Sequence, residues 1–414
     1  MPPSPKKIQL RGDRILWLLV IVFAMISLLI LYSSTIALAL RNETTPFEIT
    51  MKQFVSFAVG FALMIVCYFI PLRWWRKMAY MLLIISAILL FLAFFTRDHR
   101  HLAIGGLSIQ PSELAKISIV LYLGRIIEIS KMETFKEYAL KILLPVGTIC
   151  CLTFLGSVSA TIIILTVSFF ILCCSKIKWK YILITITMVL LMGGATFGTF
   201  ILTKGKVSLS PRIETFMNRV ERFFTDEEDE ANMTEEERRE KEAKDEQAMH
   251  AIQAIQIGGI SGVGPGNGLK KYKLPNAYDD YVFASIVEEY GLIGSIVIML
   301  LYITFFYRCL IIAQACRKIF PIVTVLGLGL LIVLQAFLHI YVNTGIFPVT
   351  GQTLPLISNG GTSIVILSCA VGVILSINRT IELTVEKEKI IALQVEEQRL
   401  QEEERIRKEV KTLN

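Results

Sequence analysis

About ten apolar runs of roughly 17 to 25 residues follow one another along this chain, and that succession constrains its fold more than any motif does. They lie near Ile15–Leu38, Phe54–Ile70, Met78–Phe95, Leu114–Ile129, Ala139–Leu155, Ser157–Cys174, Tyr181–Leu202, Val282–Tyr307, Ile319–Val342 and Ser363–Ile377. In hydrocarbon every backbone polar group must be satisfied internally, and a helix does this within one segment. The expected fold is an all-α polytopic membrane protein of about ten transmembrane helices. Composition agrees: 54% hydrophobic residues, 19% charged residues and a mean hydropathy of +0.61 are too apolar for a soluble chain of this length.

The net charge of +7 does not point to nucleic acid, because the basic residues fall in short clusters between apolar runs. Lys6 to Arg14, Arg73 to Lys77, Lys131 to Lys141, Lys176 to Lys180, Arg308 to Lys318, and Arg379 share one side if the spans alternate, which makes both termini cytoplasmic. No small-residue cleavage site follows the first run, so it reads as a retained helix. The eight cysteines sit mostly within or beside apolar runs without zinc-ligand spacing and read as small buried hydrophobes.

The expected organisation is a cytoplasmic N-terminus (1–14), seven helices (15–202), a large extracytoplasmic loop (203–281), three more helices (282–379) interrupted by a re-entrant segment (345–362), and a charged cytoplasmic tail (380–414). Within the loop, 226–246 is a dense acidic insert that reads as a solvated helix or disordered stretch. The tail, with Ile390, Leu393, Leu400, Ile406 and Val410 scattered among charges, reads as a helix or weak coiled coil.

Three stretches concentrate chemistry. In Gly105–Val120, Pro111 suits a first helical turn, and Glu113 and Lys116 lie three apart on one face. They read either as a structural ion pair or as the wall of a site. In Gly258–Gly294, six glycines precede Lys270, Lys271 and Lys273, a pattern that suits either a plain flexible loop or phosphate binding through amides and ammonium groups. Asp279 and Asp280 follow, and Glu288 and Glu289 sit in the next apolar run, where charge is costly and marks a site. Asp280 is the candidate general base, its alternative being a helix cap. In Gly345–Ser363, two prolines, paired glycines and hydroxyl groups read as irregular backbone lining a wet cavity, with Gln335, His339 and Asn343 on the preceding helix. Candidate substrate contacts are Arg212, Lys270, Lys271, Lys273, Asp279, Glu288, Gln352 and Ser358.

At GGLSIQPSELAK, LPNAYDDYVFASIVEEYGLIG and GIFPVTGQTLPLISNGGTS the chain resembles the SEDS family (shape, elongation, division and sporulation), also called the FtsW/RodA/SpoVE family. The likeness runs from about Arg14 to Arg379, and GDRILWLL, LYSST and QTLPLISNGGTS look most like its division branch. It implies a peptidoglycan glycosyltransferase that polymerises lipid II at the outer face of the cytoplasmic membrane. The family's essential Asp falls on Asp280, and its important Glu and Lys fall on Glu113 and Lys116. A class B penicillin-binding protein and other division proteins are the implied partners, and Mg²⁺ or Mn²⁺ at Asp280 suits a diphosphate substrate, with no protein metal cage expected. The chain departs from the family's pattern at Gly156–Thr161, which stands in place of a Pro-Asp-x-Gly-Thr run, at Asn359 in place of Tyr, and in its acidic insert. The competing reading is a lipid II transporter, which would place polar groups near the bilayer midplane.

Overall fold

The computed structural model describes residues 11–35, 39, 44–96, 101–104, 107–175, 177–187, 194, 235–272, 274, 278–347 and 351–413. Asp13 starts helix α1 (Arg14–Ser34) by accepting the amides of Ile15 and Leu16 at 2.9 and 3.0 Å. Helix α2 (Pro46–Phe69) begins well before the expected Phe54, because Thr45 caps it and Pro46 fits its first turn. After α3 (Leu72–Phe94) comes a short antiparallel hairpin, β1 (Leu102–Ile104) with β2 (Leu107–Ile109), in register Leu102 to Ile109. This hairpin is the one departure from an all-helical chain among the described residues, and it delivers Pro111 to the start of α4 (Pro111–Ile129).

Helix α5 (Phe135–Gly156) holds one π-helical stretch, Ala139–Leu143, and α6 (Val158–Cys173) restarts after Ser157, whose hydroxyl caps it. Residues 179–187 are helical where the seventh span is expected. The remaining helices are α7 (Glu235–Gly258), α8 (Val282–Gln314), α9 (Ile319–Asn343) and α10 (Gly361–Leu413). Seven of the described helices, α1, α2, α3, α5, α8, α9 and α10, are long and apolar enough to cross a membrane. Helix α4 is 19 residues long but carries Glu113, Lys116, Arg125 and Glu128, and α6 is 16 residues long.

From residue 235 onward the acidic insert is helical, and the helix continues through Gln253–Gly258 as one element, α7, which docks Ala251 and Ala254 against Leu274, Tyr281 and Ala284. The tail is helical as expected, and it continues the last span without a break as one 53-residue helix.

Helix α9 is the centre of the bundle. Of its apolar window 67% is buried, against 22% for α2 and α3, whose outer faces show the large apolar side chains expected toward lipid. Close approach comes from small residues: a Cβ on Gly327 would press into Val120 of α4, and one on Gly372 of α10 would meet the Met64 carbonyl of α2.

Arginines gather at the end that carries the N-terminus. Arg308 pairs with Asp13, Arg11 with Glu386, Arg317 with Glu388 at 2.7 Å, and Arg76 and Arg125 share Glu128 at 2.9 and 3.0 Å. The Arg11 guanidinium holds the exposed Glu386 carboxyl below its usual range.

Helix α8 is broken once, at Gly291, whose φ of 65° and ψ of −163° leave the helical region. The break frees carbonyls before it and amides after it, and the glycine-rich segment takes up both. Val263 and Gly264 donate to the carbonyls of Glu288 and Glu289 at 3.0 Å each, while Leu292 and Ile293 donate to those of Gly259 and Ile260 at 2.9 and 3.2 Å. Residues 258–264 are therefore a strap hydrogen-bonded to the break and not a flexible loop. Gly262 has a φ of 79°, and a Cβ there would land on the Glu289 carbonyl. Gly262→Ala should lower stability by about 1–3 kcal/mol from backbone strain alone. A melting temperature in detergent equal to wild type would disprove the strap.

Candidate functional site

Three polar side chains spaced four apart on α9, Gln335, His339 and Asn343, form one buried stripe in an otherwise apolar helix, each no more than 1% exposed. Each holds a different part of the site. Gln335 Oε1 accepts Lys116 Nζ at 2.6 Å, and its Nε2 donates to the Thr353 carbonyl at 3.2 Å. His339 Nδ1 meets the Gln352 carbonyl at 2.7 Å, so Nδ1 carries the proton and Nε2 is an acceptor. Asn343 Nδ2 donates to the carbonyls of Asp280 and His339 at 3.0 Å each, and Asn343 Oδ1 accepts the Ala284 amide at 3.0 Å. Lys116 and the Asp280 segment thus sit along one face, with about 12 Å of helix rise between their anchors.

The Glu113–Lys116 pair is present at 2.7 Å, with side chains 3% and 0% exposed. The ammonium gives donors to Glu113 and to Gln335, linking α4 to α9. Three acceptors, Glu113 Oε2, His339 Nε2 and Gln352 Oε1, are buried with no hydrogen-bond partner among the described residues. Acceptors of this kind suit donor hydrogens from sugar hydroxyls, amides or ordered water. A narrow crevice lined by Ser112, Thr153, Gly156 and Ser157 lies beside this region, and Gln352 Nε2 reaches Ser157 Oγ at 3.4 Å.

Asp279 and Asp280 are only partly exposed and lie in the turn before α8. Their backbones are gripped from two sides: Ser358 Oγ donates to the Asp279 carbonyl at 2.9 Å and the Asn359 amide to the Tyr278 carbonyl at 3.1 Å, while Asn343 holds Asp280. All three of these bonds fall on backbone carbonyls. Burial, then the neighbouring Asp279 and Asp280 charges, push the Tyr278 phenol above its usual range, so it stays protonated.

The other candidates are placed differently. Glu288, 1% exposed, spends Oε1 on the amides of Leu269 and Lys270 at 2.8 and 2.9 Å. With Val263 and Gly264 also bonded internally, the amides of Val263, Gly264, Leu269 and Lys270 are committed to protein and do not form the phosphate cradle that is one of the two readings of the glycine-rich segment. Lys270 Nζ reaches Gln253 of α7 at 2.6 Å. Lys271 lies in a short 3₁₀ turn, Lys270–Tyr272; its side chain, with Arg212 and Lys273, lies outside the described residues. Ser358 is 1% exposed and ties Leu354 to Asp279.

Asn343 is the residue whose part sequence reasoning missed, and its signal was the four-residue spacing with Gln335 and His339. Asn343→Ala strands the Ala284 amide and the Asp280 carbonyl, at a cost of about 1–3 kcal/mol per buried group. Asn343→Asp keeps the acceptor for Ala284 and should melt between alanine and wild type; equal melting of all three would remove the clamp.

A family model described as "Cell cycle protein" (FTSW_RODA_SPOVE) matches residues 13–382. The probable peptidoglycan glycosyltransferase FtsW of Nitrosomonas europaea is 27% identical over 395 residues, covering 91% of this chain and 95% of its own. That of Nitrosococcus halophilus is 29% identical over 364 residues, covering 84% and 87%. Among solved structures, a chain from work on the structural coordination of polymerization and crosslinking by a peptidoglycan synthase complex matches with a TM-score of 0.69 at 21% identity, covering 90% of this chain and 99% of that one. The rod shape determining protein RodA of Thermus thermophilus matches at 0.63 and 21%, covering 91% and 98%.

Proposed function

Because the chain belongs to the FtsW/RodA/SpoVE family of cell cycle proteins, we infer that it is a multi-pass membrane enzyme, a peptidoglycan glycosyltransferase that polymerises lipid II for septal wall synthesis. The structural observation that carries the mechanism is the α9 stripe, which ties the Glu113–Lys116 pair and the Asp280 segment to one buried face. Chain growth joins the 4-hydroxyl of an acceptor sugar to the anomeric carbon of a donor linked through an α-diphosphate. A C–O bond forms on the face opposite the leaving group, the bond to the diphosphate breaks, and the product is β-linked. The hydroxyl proton must go to a base and the diphosphate charge must be offset.

We assign the base to Asp280, a carboxylate in a turn whose backbone is fixed by Asn343 at Asp280 and by Ser358 at Asp279. Lys116, positioned by Glu113 and Gln335, supplies buried positive charge, and we assign Arg212, Lys270, Lys271 and Lys273 to the same task on their charge alone. Asp279 shares the base's turn, and Gln352 offers a buried acceptor to the substrate. Among the described residues no three His, Cys, Asp or Glu side chains converge as a metal site. Mg²⁺ or Mn²⁺ nonetheless suits Asp280 together with diphosphate oxygens, since such ions take one or two carboxylates plus substrate phosphates. Bound there, the ion would offset the charge of the leaving diphosphate.

We assign the end with the N-terminus to the cytoplasm and the Asp280 end to the outer side, a reading supported by the arginines gathered beside the N-terminus. The partner is a class B penicillin-binding protein, supported by the likeness to a chain of a complex that coordinates polymerisation with crosslinking; other division proteins complete the assembly. Purified chain in vesicles, alone and with its transpeptidase, should convert lipid II into long glycan strands. Movement of labelled lipid II across the bilayer without polymer would replace this reading with a transporter.

A further inference from the structure

The break at Gly291 sets the height of the glycine strap relative to the bilayer. Arg308, paired with Asp13, marks the polar boundary at the end of α8 beside the N-terminus. The roughly 15 residues from Ile293 to Arg308 rise about 22 Å, and helix tilt only shortens that. The hydrocarbon core is about 30 Å thick, so the level of Ile293 lies inside it. Ile293 and Leu292 donate to the carbonyls of Ile260 and Gly259, which puts the strap at the same depth.

Its side chains suit that depth. Ile260 is 72% exposed and Ile257 49%, and they adjoin the outward face of α8, where Leu292, Ile293, Ile296 and Leu300 are 46–57% exposed. Four of the strap's backbone groups are spent on α8, which lowers the cost of placing it in hydrocarbon: the Gly259 and Ile260 carbonyls bond Leu292 and Ile293, and the Val263 and Gly264 amides bond Glu288 and Glu289. We propose that residues 257–263 are seated in the leaflet away from the termini, with Ile260 among lipid acyl chains. The occupant we assign to this face is lipid, because Ile257 and Ile260 are exposed and apolar at the depth of the exposed apolar side chains of α8.

The test places tryptophan at Ile260 and, as a depth reference, at Ile293, in the full chain reconstituted into phospholipid vesicles with or without brominated acyl chains. Emission is read as the difference from wild type, which has four tryptophans of its own. Both sites are exposed, so the larger ring has room, and matched melting temperatures check the fold. Ile260→Trp should emit to the blue, lose the same fraction of its added emission to brominated chains as Ile293→Trp does, and resist aqueous iodide. Quenching of Ile260→Trp by iodide and not by bromine would lift the strap into water. Quenching by neither would mean that protein covers it. Either result, or an Ile293→Trp untouched by bromine, overturns the proposal.

Discussion

Asp280→Asn is expected to lower lipid II polymerisation by about 10²–10⁴-fold, the range a positioned general base supplies. The geometry makes this substitution clean. Asn343 and Ser358 hold the Asp279–Asp280 turn through backbone carbonyls, and those bonds survive replacement of the Asp280 carboxylate by an isosteric amide. Melting temperature and retention of lipid II should therefore match wild type while glycan strands disappear from a gel of the products. Substantial polymer from Asp280→Asn in the complex with its transpeptidase would take the base role away from this residue. Loss of both polymer and thermal stability would instead say that the carboxylate holds the fold.

The second large effect is at the buried pair. Lys116→Met leaves Glu113 charged, 3% exposed and without its cation, which should cost about 3–5 kcal/mol. Glu113→Gln alone strands the ammonium and should cost a similar amount. The informative variant is the double one, Glu113→Gln with Lys116→Met, which removes both charges at nearly constant volume. Its stability should return close to wild type, because a buried pair and an apolar replacement are often nearly equal in free energy. Polymerisation should stay lost, because the positive charge beside the substrate has gone. A stable and active double variant would reduce the pair to a structural tie between α4 and α9.

Much of this was legible in the residues themselves. Run length alone gives the helices, since a span must be long enough to cross hydrocarbon, and the three-residue spacing of Glu113 and Lys116 already puts them on one face. What was not legible is long range. Gly291 sits in an apolar run that reads as one helix, and nothing local says that the carbonyls it frees will be met by residues nearly thirty positions earlier. Glu288 looks like a site carboxylate until its partners prove to be backbone amides of Leu269 and Lys270. Gln335, His339 and Asn343 each look like an ordinary satisfied polar group of a buried helix; only the segments arriving from elsewhere in the chain turn their spacing into a site.

Helix α10 begins at Gly361, directly after the segment whose Ser358 and Asn359 hold the Asp279 and Tyr278 carbonyls, and runs unbroken to Leu413. Fifty-three residues make a rod of about 80 Å, of which some 30 Å cross the bilayer. Such a rod is torsionally stiff, because each turn is bonded to the next. Its far half reaches about 50 Å past the bilayer on the side of the termini, so whatever binds there holds the same unbroken helix whose other end follows the residues that grip the aspartate turn.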